Sequence, residues 1–226
     1  MGKNGVVLES NLGDLRSMNQ VLLDRGMNLA ECKAMCTSPI IPLREKLFFR
    51  MIDETTFRPF EVQHLRIEEW DRATREITAR KVKVKYNPRT KAKISLPRSM
   101  KLTENTNEML RAFVGNRKKG YIFQGEKGKP LTLRLFEKEI DRYARLLSIQ
   151  QDKQITPKGR IYHLVTLMAL REAGERHHDQ DGGDPAISAK AAGHTMLIKS
   201  RYYKKGSFEE AQESFEKHHP AFREKW

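Results

Sequence analysis

Cysteine is nearly absent: Cys32 and Cys36 are the only two in 226 residues. Spaced i,i+4, they can neither complete a four-ligand zinc site nor build a disulfide framework, so they read as two ordinary thiols in a reducing compartment. Long apolar runs are also missing. No stretch approaches the roughly 20 residues that a membrane span needs. The opening MGKNGVVLES lacks the apolar core of a signal peptide, and Val6 stands where a myristoylation pattern wants Ser or Thr. A cytoplasmic protein without a membrane partner is expected. Acidic residues are scarce beside basic ones, 29 against 43, which leaves a net charge of +14. An excess that large points to a polyanionic partner, nucleic acid first. Hydrophobic residues make up 38% of the chain, enough for a core, so composition excludes a disordered protein.

Residues 1–43 carry no clear period and read as an N-terminal appendage or the remnant of an upstream region. Helical periodicity begins with Leu43, Leu47, Phe48, Met51 and Ile52 on one face. Pro59, favourable in a first turn, opens a second helix expected to reach about Trp70. The period then changes. EITARKVKVKYNPRTKAKISLP alternates on both sides of the turn-forming YNPRT and predicts a hairpin. From Ile77 to Thr103 there is no acidic residue and nine are basic, among them Lys81, Lys83, Lys85, Arg89, Lys91 and Lys93. A few lysines would protect an exposed edge; nine uncompensated cations suit a phosphate-facing surface.

Thr103 and Thr132 are placed to cap two further amphipathic helices. A helix from about Arg160 to Ala173 is expected to stop at Gly174, followed by a polar loop, ERHHDQDGGDP. The histidines and aspartates of that loop match no calcium or zinc spacing, and no metal or other cofactor is expected. AISAKAA reads as a short helix ending at Gly193, and Ser207 with Glu210 has the spacing of a capping box for a final helix. The fold class is mainly α with a small β-hairpin, an α+β domain over residues 44–206, with 207–226 as a C-terminal helix and tail that could be exchanged between subunits.

Two segments carry most of the chemical information. LFFRMIDETTFRPFEVQHLRIEEWD sets Arg58 before Glu61 at the mouth of a helix, and AAGHTMLIKSRYYKKG sets His194 nine positions before Tyr203, amid Lys199, Arg201 and Lys204. Taken singly each has an ordinary explanation: Arg58 as a salt-bridge partner, His194 as a helix-end residue, the tyrosines as core or rim. In this order, with the basic hairpin between them, they resemble the catalytic domain of the tyrosine recombinases, the phage-integrase family. The resemblance spans about residues 44–206 and includes IFQGEKGKPLT as the usual connector.

That resemblance implies a DNA breaking and rejoining fold and a site-specific recombinase or integrase of a virus, plasmid or other mobile element. It would act on double-stranded DNA as a homotetramer through a 3′-phosphotyrosine, without metal or ATP. Tyr203 falls in the nucleophile position, Arg58 in that of the catalytic arginine, His194 in that of the closing-box histidine, and Lys83, with Lys85 as runner-up, in that of the hairpin lysine. Lys81, Lys85, Arg89, Lys91, Lys93, Lys199 and Arg201 are the expected DNA contacts. The middle box departs from the family. His-x-x-Arg is usual at the start of the helix after Thr-Pro; here TPKGRIYHLVTLMALREAG offers Lys158 and Ile161 in one register, or Arg160 and His163 in reversed order in another. The alternatives that remain are a decayed, DNA-binding member of the fold and a type IB topoisomerase.

Overall fold

The computed structural model describes residues 26–80, 85–86, 93–94, 97–154, 161–193, 208–224 and 226. Helix α1 (Leu29–Thr37) and helix α2 (Leu43–Thr55) lead into the short α3 (Pro59–Gln63) and a single 3-10 turn (Ile67–Glu69). Strands β1 (Glu76–Ala79), β2 (Lys85–Tyr86), β3 (Lys93–Ile94) and β4 (Arg98–Lys101) follow. Helices α4 (Glu104–Val114) and α5 (Leu133–Leu146), strands β5 (Asp152–Gln154) and β6 (Ile161–His163), and helices α6 (Leu167–Gln180), α7 (Pro185–Ala191), α8 (Phe208–His218) and α9 (Pro220–Arg223) complete the order. None of the described helices is long and apolar enough to cross a membrane.

α2 is the central element. Leu47, Phe48, Phe49, Met51 and Ile52 are all buried, and α1, α4, α5 and α6 pack around them. Phe48 stacks on Phe136 of α5, and Phe123 meets both rings edge-on, the arrangement the ring quadrupoles favour. Residues first read as an appendage join this core: Met27, Cys32, Met35, Cys36 and Ile41 are almost fully buried. Both cysteines are free, and burial pushes both thiols up, which leaves them inert at neutral pH.

The other side of α2 is polar and equally buried. Glu54 accepts hydrogen bonds from the Thr106 and Thr103 hydroxyls, at 2.6 and 3.1 Å, and from the Thr103 backbone N–H. Arg50 binds Glu54 at 3.0 Å and donates to the Trp226 carbonyl, which ties the end of the chain to the core.

The basic hairpin is present as two antiparallel pairs, β1 with β4 and β2 with β3. Two helix expectations need correction. The segment from Pro59 does not run helically to Trp70: α3 stops after Gln63 and a 3-10 turn covers Ile67–Glu69. The helix expected over 160–173 instead begins at Leu167, because the Thr166 hydroxyl accepts the Ala169 N–H and sets the N-terminus there. Ile161, Tyr162 and His163 pair with Asp152–Gln154 as strand β6. Nor does Gly174 end this helix, which runs through the supposed loop to Gln180. Its role is close approach: a Cβ at Gly174 would lie 2.5 Å from the Asp53 carbonyl oxygen of α2.

α8 packs on α7, α6 and β4 of its own chain, with Phe215 stacked between His178 and His219 and Lys101 paired to Glu216 at 2.6 Å. Ser207, the expected cap of α8, lies outside the described residues.

Several titratable groups are buried on α2, on α6 and at the N-cap of α9, where His219 lies 3.9 Å from Asp53. Burial pushes the Asp53 carboxyl up from 3.8 to about 8, with Glu54 adding to the effect. It pushes His219 down from 6.5 to about 3 and His177 down to about 4. Between about pH 4 and 8 folded Asp53 keeps a proton that the unfolded chain has released, so its contribution falls as pH rises. The histidines act oppositely: below about pH 6.5 the unfolded chain takes up protons that the folded chain refuses. Two histidines outweigh one carboxyl below that pH and Asp53 acts alone above it, so these groups place maximal stability near pH 6.5. Asp53→Asn is expected to abolish the alkaline decline in melting temperature and leave the acid limb in place. An unaltered alkaline limb would mean that folded Asp53 is already ionised.

Candidate active site

Thr56, at the C-cap of α2, adopts the left-handed conformation with φ 52°, and the chain reverses through Phe57 into Arg58, the N-cap of α3. Glu61, three residues on, accepts the Arg58 backbone N–H at 2.8 Å and pairs with the Arg58 guanidinium at 3.2 Å. The carboxylate is fully buried, and its second oxygen binds Arg98 of β4. Phe57 lies flat beneath that guanidinium, 5.0 Å from its centre to the ring centroid.

The far wall of the site is the C-terminus of α7, where three successive carbonyls have no partner within the helix. Each receives an arginine from a different part of the chain. Arg98 donates to Ala191, Arg171 to Ala192 at 2.6 Å, and Arg58 to Gly193 at 3.2 Å. Arg171 also donates from Nε to the Thr56 carbonyl at 2.7 Å. One planar fork therefore ties the segment before Arg58 to the segment before His194. Gly193 suits its position on two counts: its φ is 65°, a conformation L side chains rarely adopt, and a Cβ would lie 3.0 Å from the Arg98 guanidinium, a tight contact.

Among the described residues Arg58 and Arg98 share the Glu61 carboxylate and Arg171 pairs with Glu175 at 3.2 Å, so three guanidiniums are in direct contact with two carboxylates. Burial pushes Arg98 down to about 10, still cationic at neutral pH, although Glu61 opposes the shift. Burial likewise lowers Arg171, partly offset by Glu175. Arg98 and Arg171 are almost wholly enclosed, whereas the Arg58 side chain keeps 24% of its surface exposed. Arg58 is the member of the three placed to meet a ligand.

A cavity of about 430 Å³ opens beside it, lined by Arg58, Phe60, Ile140, His163, Thr166 and Met168 among others. The structure thus brings together two of the residues singled out in the sequence, Arg58 and His163. The expectation that Arg160 and His163 share a helix face is corrected, because His163 sits at the end of strand β6. Lys81, Lys83, Arg89, Lys91, Lys158, Arg160, His194, Lys199, Arg201, Tyr202 and Tyr203 lie outside the described residues; Lys85 and Lys93 are in β2 and β3. Sequence reasoning missed Arg98 and Arg171. Arg171 had a signal, an arginine amid Leu167, Leu170 and Gly174 on the buried side of a helix; Arg98 was counted only among the basic surface residues.

Among the described residues, Asp141, Asp152 and His163 bring ligand atoms within 4.8 Å of one another. Arg145 already answers both carboxylates, at 3.0 and 2.9 Å, so the group is satisfied without a cation.

A comparison with family models decides the relationship: the Phage integrase family matches residues 27–208. The chain belongs to the phage integrase family. A comparison with curated proteins returns no match. Among solved structures, this integrase-family chain is similar to an integrase from mycobacterium phage Brujita, with 12% identity, TM-score 0.62, and 86% of this chain and 58% of the other covered. It is similar to XerA recombinase at 15% identity and TM-score 0.57, covering 84% and 63%. It is also similar to XerH site-specific recombinase bound to difH substrate, at 18% identity and TM-score 0.56, covering 78% and 48%. At these identities the likeness shows a shared fold, and the chain spans 48 to 63% of the length of those structures.

Proposed function

We propose that this member of the family is a site-specific DNA strand transferase that cuts and reseals double-stranded DNA through a phosphotyrosine. One observation carries the reading: the guanidinium of Arg58 is bonded to the carbonyl of Gly193, so the arginine box and the Gly-His box, 135 residues apart, meet at one point beside an open cavity. Among the described residues three guanidiniums share two carboxylates, an excess of positive charge that a backbone phosphate would neutralise.

In this reading the Tyr203 oxygen attacks phosphorus, the bond from phosphorus to the 5′ oxygen breaks, and the phenol gives up its proton. Lys83, or Lys85, returns a proton to the leaving oxygen. Arg58, His163 and His194 donate to the non-bridging oxygens, where charge concentrates in the transition state. The covalent ester retains the energy of the broken backbone bond, so resealing needs no ATP, metal or other cofactor. Lys81, Arg89, Lys91 and Lys93 of the hairpin, with Lys199 and Arg201 near the tyrosine, bind the duplex, and the active assembly is a homotetramer on DNA.

A specific observation favours a second reading. The family's His-x-x-Arg is replaced here by Lys158 and Ile161 in one register or by Arg160 and His163 in reversed order in the other, so no arginine stands in the usual arginine position, which favours a DNA-binding member of the fold that no longer cuts. Incubation with a nicked suicide duplex separates the two: a protein–DNA adduct that survives SDS is expected, and its absence with retained DNA binding would establish the second reading. Changing Lys83 and Lys85 separately identifies the acid, because a 5′ leaving group of lower pKa should rescue only the variant that lacks the true proton donor.

A further inference from the structure

β5 and β6 are short, but their register is informative. Asp152 lies directly opposite His163, so the two side chains share a face of the ladder. The His163 Nδ1 is 2.8 Å from Asp152 Oδ1. The other side of the Asp152 carboxylate is fixed by Arg145 of α5 at 2.9 Å, and Arg145 also reaches Asp141, whose second oxygen accepts from Gln150 at 2.8 Å. A chain of bonds anchored in helix α5 therefore ends on one nitrogen of the imidazole that lines the Arg58 cavity.

We propose that Asp152 is a positioning residue for His163, holding Nδ1 and with it the ring in one orientation, so that Nε2–H of the imidazolium form is presented to the phosphate bound by Arg58. The hydrogen bond from His163 and the nearby Arg145 hold the Asp152 carboxyl below the usual carboxylate range, so it is ionised at neutral pH and can only accept. Nδ1 must then carry a hydrogen toward Asp152, which leaves Nε2 for the ligand; Nε2 donates to a phosphate oxygen in the imidazolium form, in which both nitrogens carry hydrogen. A carboxylate fixing an imidazole for work at the opposite nitrogen is a general device. It matters more here because, in the register that pairs Arg160 with His163, the imidazole beside the Arg58 cavity stands where an arginine is usual. The inference rests on the strand-transfer reading above.

Asp152→Asn is the test. The pair is exposed, so the fold should survive the change. In long-range proton–nitrogen NMR spectra the neutral His163 ring of the native protein should carry its hydrogen on Nδ1, and in the variant the population should move toward Nε2–H. Single-turnover cleavage of the suicide duplex should fall roughly 10- to 100-fold, the scale on which an orienting partner of a histidine acts, with DNA affinity unchanged and partial rescue by Asp152→Glu. A merely structural role would instead lower melting temperature and DNA affinity together and leave the tautomer alone. Native tautomer and native cleavage in Asp152→Asn would overturn the inference while sparing the strand-transfer reading. Native protein that binds DNA but forms no adduct would overturn that reading and this role with it.

Discussion

Tyr203→Phe should form no covalent adduct with nicked DNA and should bind the same duplex with nearly native affinity. The variant loses one oxygen, which in the proposed reaction is the entire nucleophile and only a small part of the surface that would meet DNA. The assignment depends on a count of nine from His194, which follows Gly193, the glycine whose carbonyl accepts from Arg58. Tyr202→Phe is the internal control and should retain adducts, because the adjacent position does not match the family spacing. An SDS gel of labelled DNA with the two variants side by side gives the answer. Adducts that persist in Tyr203→Phe and vanish in Tyr202→Phe would move the nucleophile by one residue.

Arg58→Ala should lower the cleavage rate by about 100- to 1000-fold, the loss expected when one preorganised donor to a developing oxyanion is removed. The effect should fall on the chemical step rather than on folding. Arg58 is partly exposed and is one of two cations on Glu61, so Arg98 still neutralises that carboxylate after the change. Melting temperature should therefore move little. Arg58→Lys should lie between, since an ammonium keeps the charge but cannot offer two parallel hydrogen bonds while holding the Gly193 carbonyl. Single-turnover cleavage and thermal unfolding of the same preparations separate the contributions. A large fall in melting temperature in Arg58→Ala, with cleavage reduced in proportion to the folded fraction, would reassign Arg58 as a strut like Arg171.

The contrast between these arginines shows how much of the site was legible in the chain. Arg58 was legible because Pro59 and Glu61 mark the start of a helix, a local signal within four residues. The hairpin was legible because alternation and a turn sequence are local too. The roles of Arg171 and Arg98 were not, since Thr56, Ala191 and Glu61, which they bind, lie 115, 93 and 37 residues away, and the one local hint, the place of Arg171 on the buried side of a helix, names no partner across the fold. The misplaced start of α6 has a similar origin. Residues 160–173 can be written on a helical wheel, but the Thr166 cap and the pairing of Ile161–His163 with Asp152–Gln154 decide against it. Cross-strand pairing is a long-range choice that local periodicity does not report.

By itself the sequence determined that this protein is basic and mainly helical, with one cationic hairpin and an ordered set of Arg, Lys, His and Tyr positions, because composition, turn chemistry and spacing are properties of short stretches. Tertiary structure alone decided that three guanidiniums converge on the last carbonyls of one short helix and that a strand pair places Asp152 against His163. The physical reason is desolvation. A buried cation is stable only where folding brings it an acceptor, and which acceptor arrives depends on how distant segments pack.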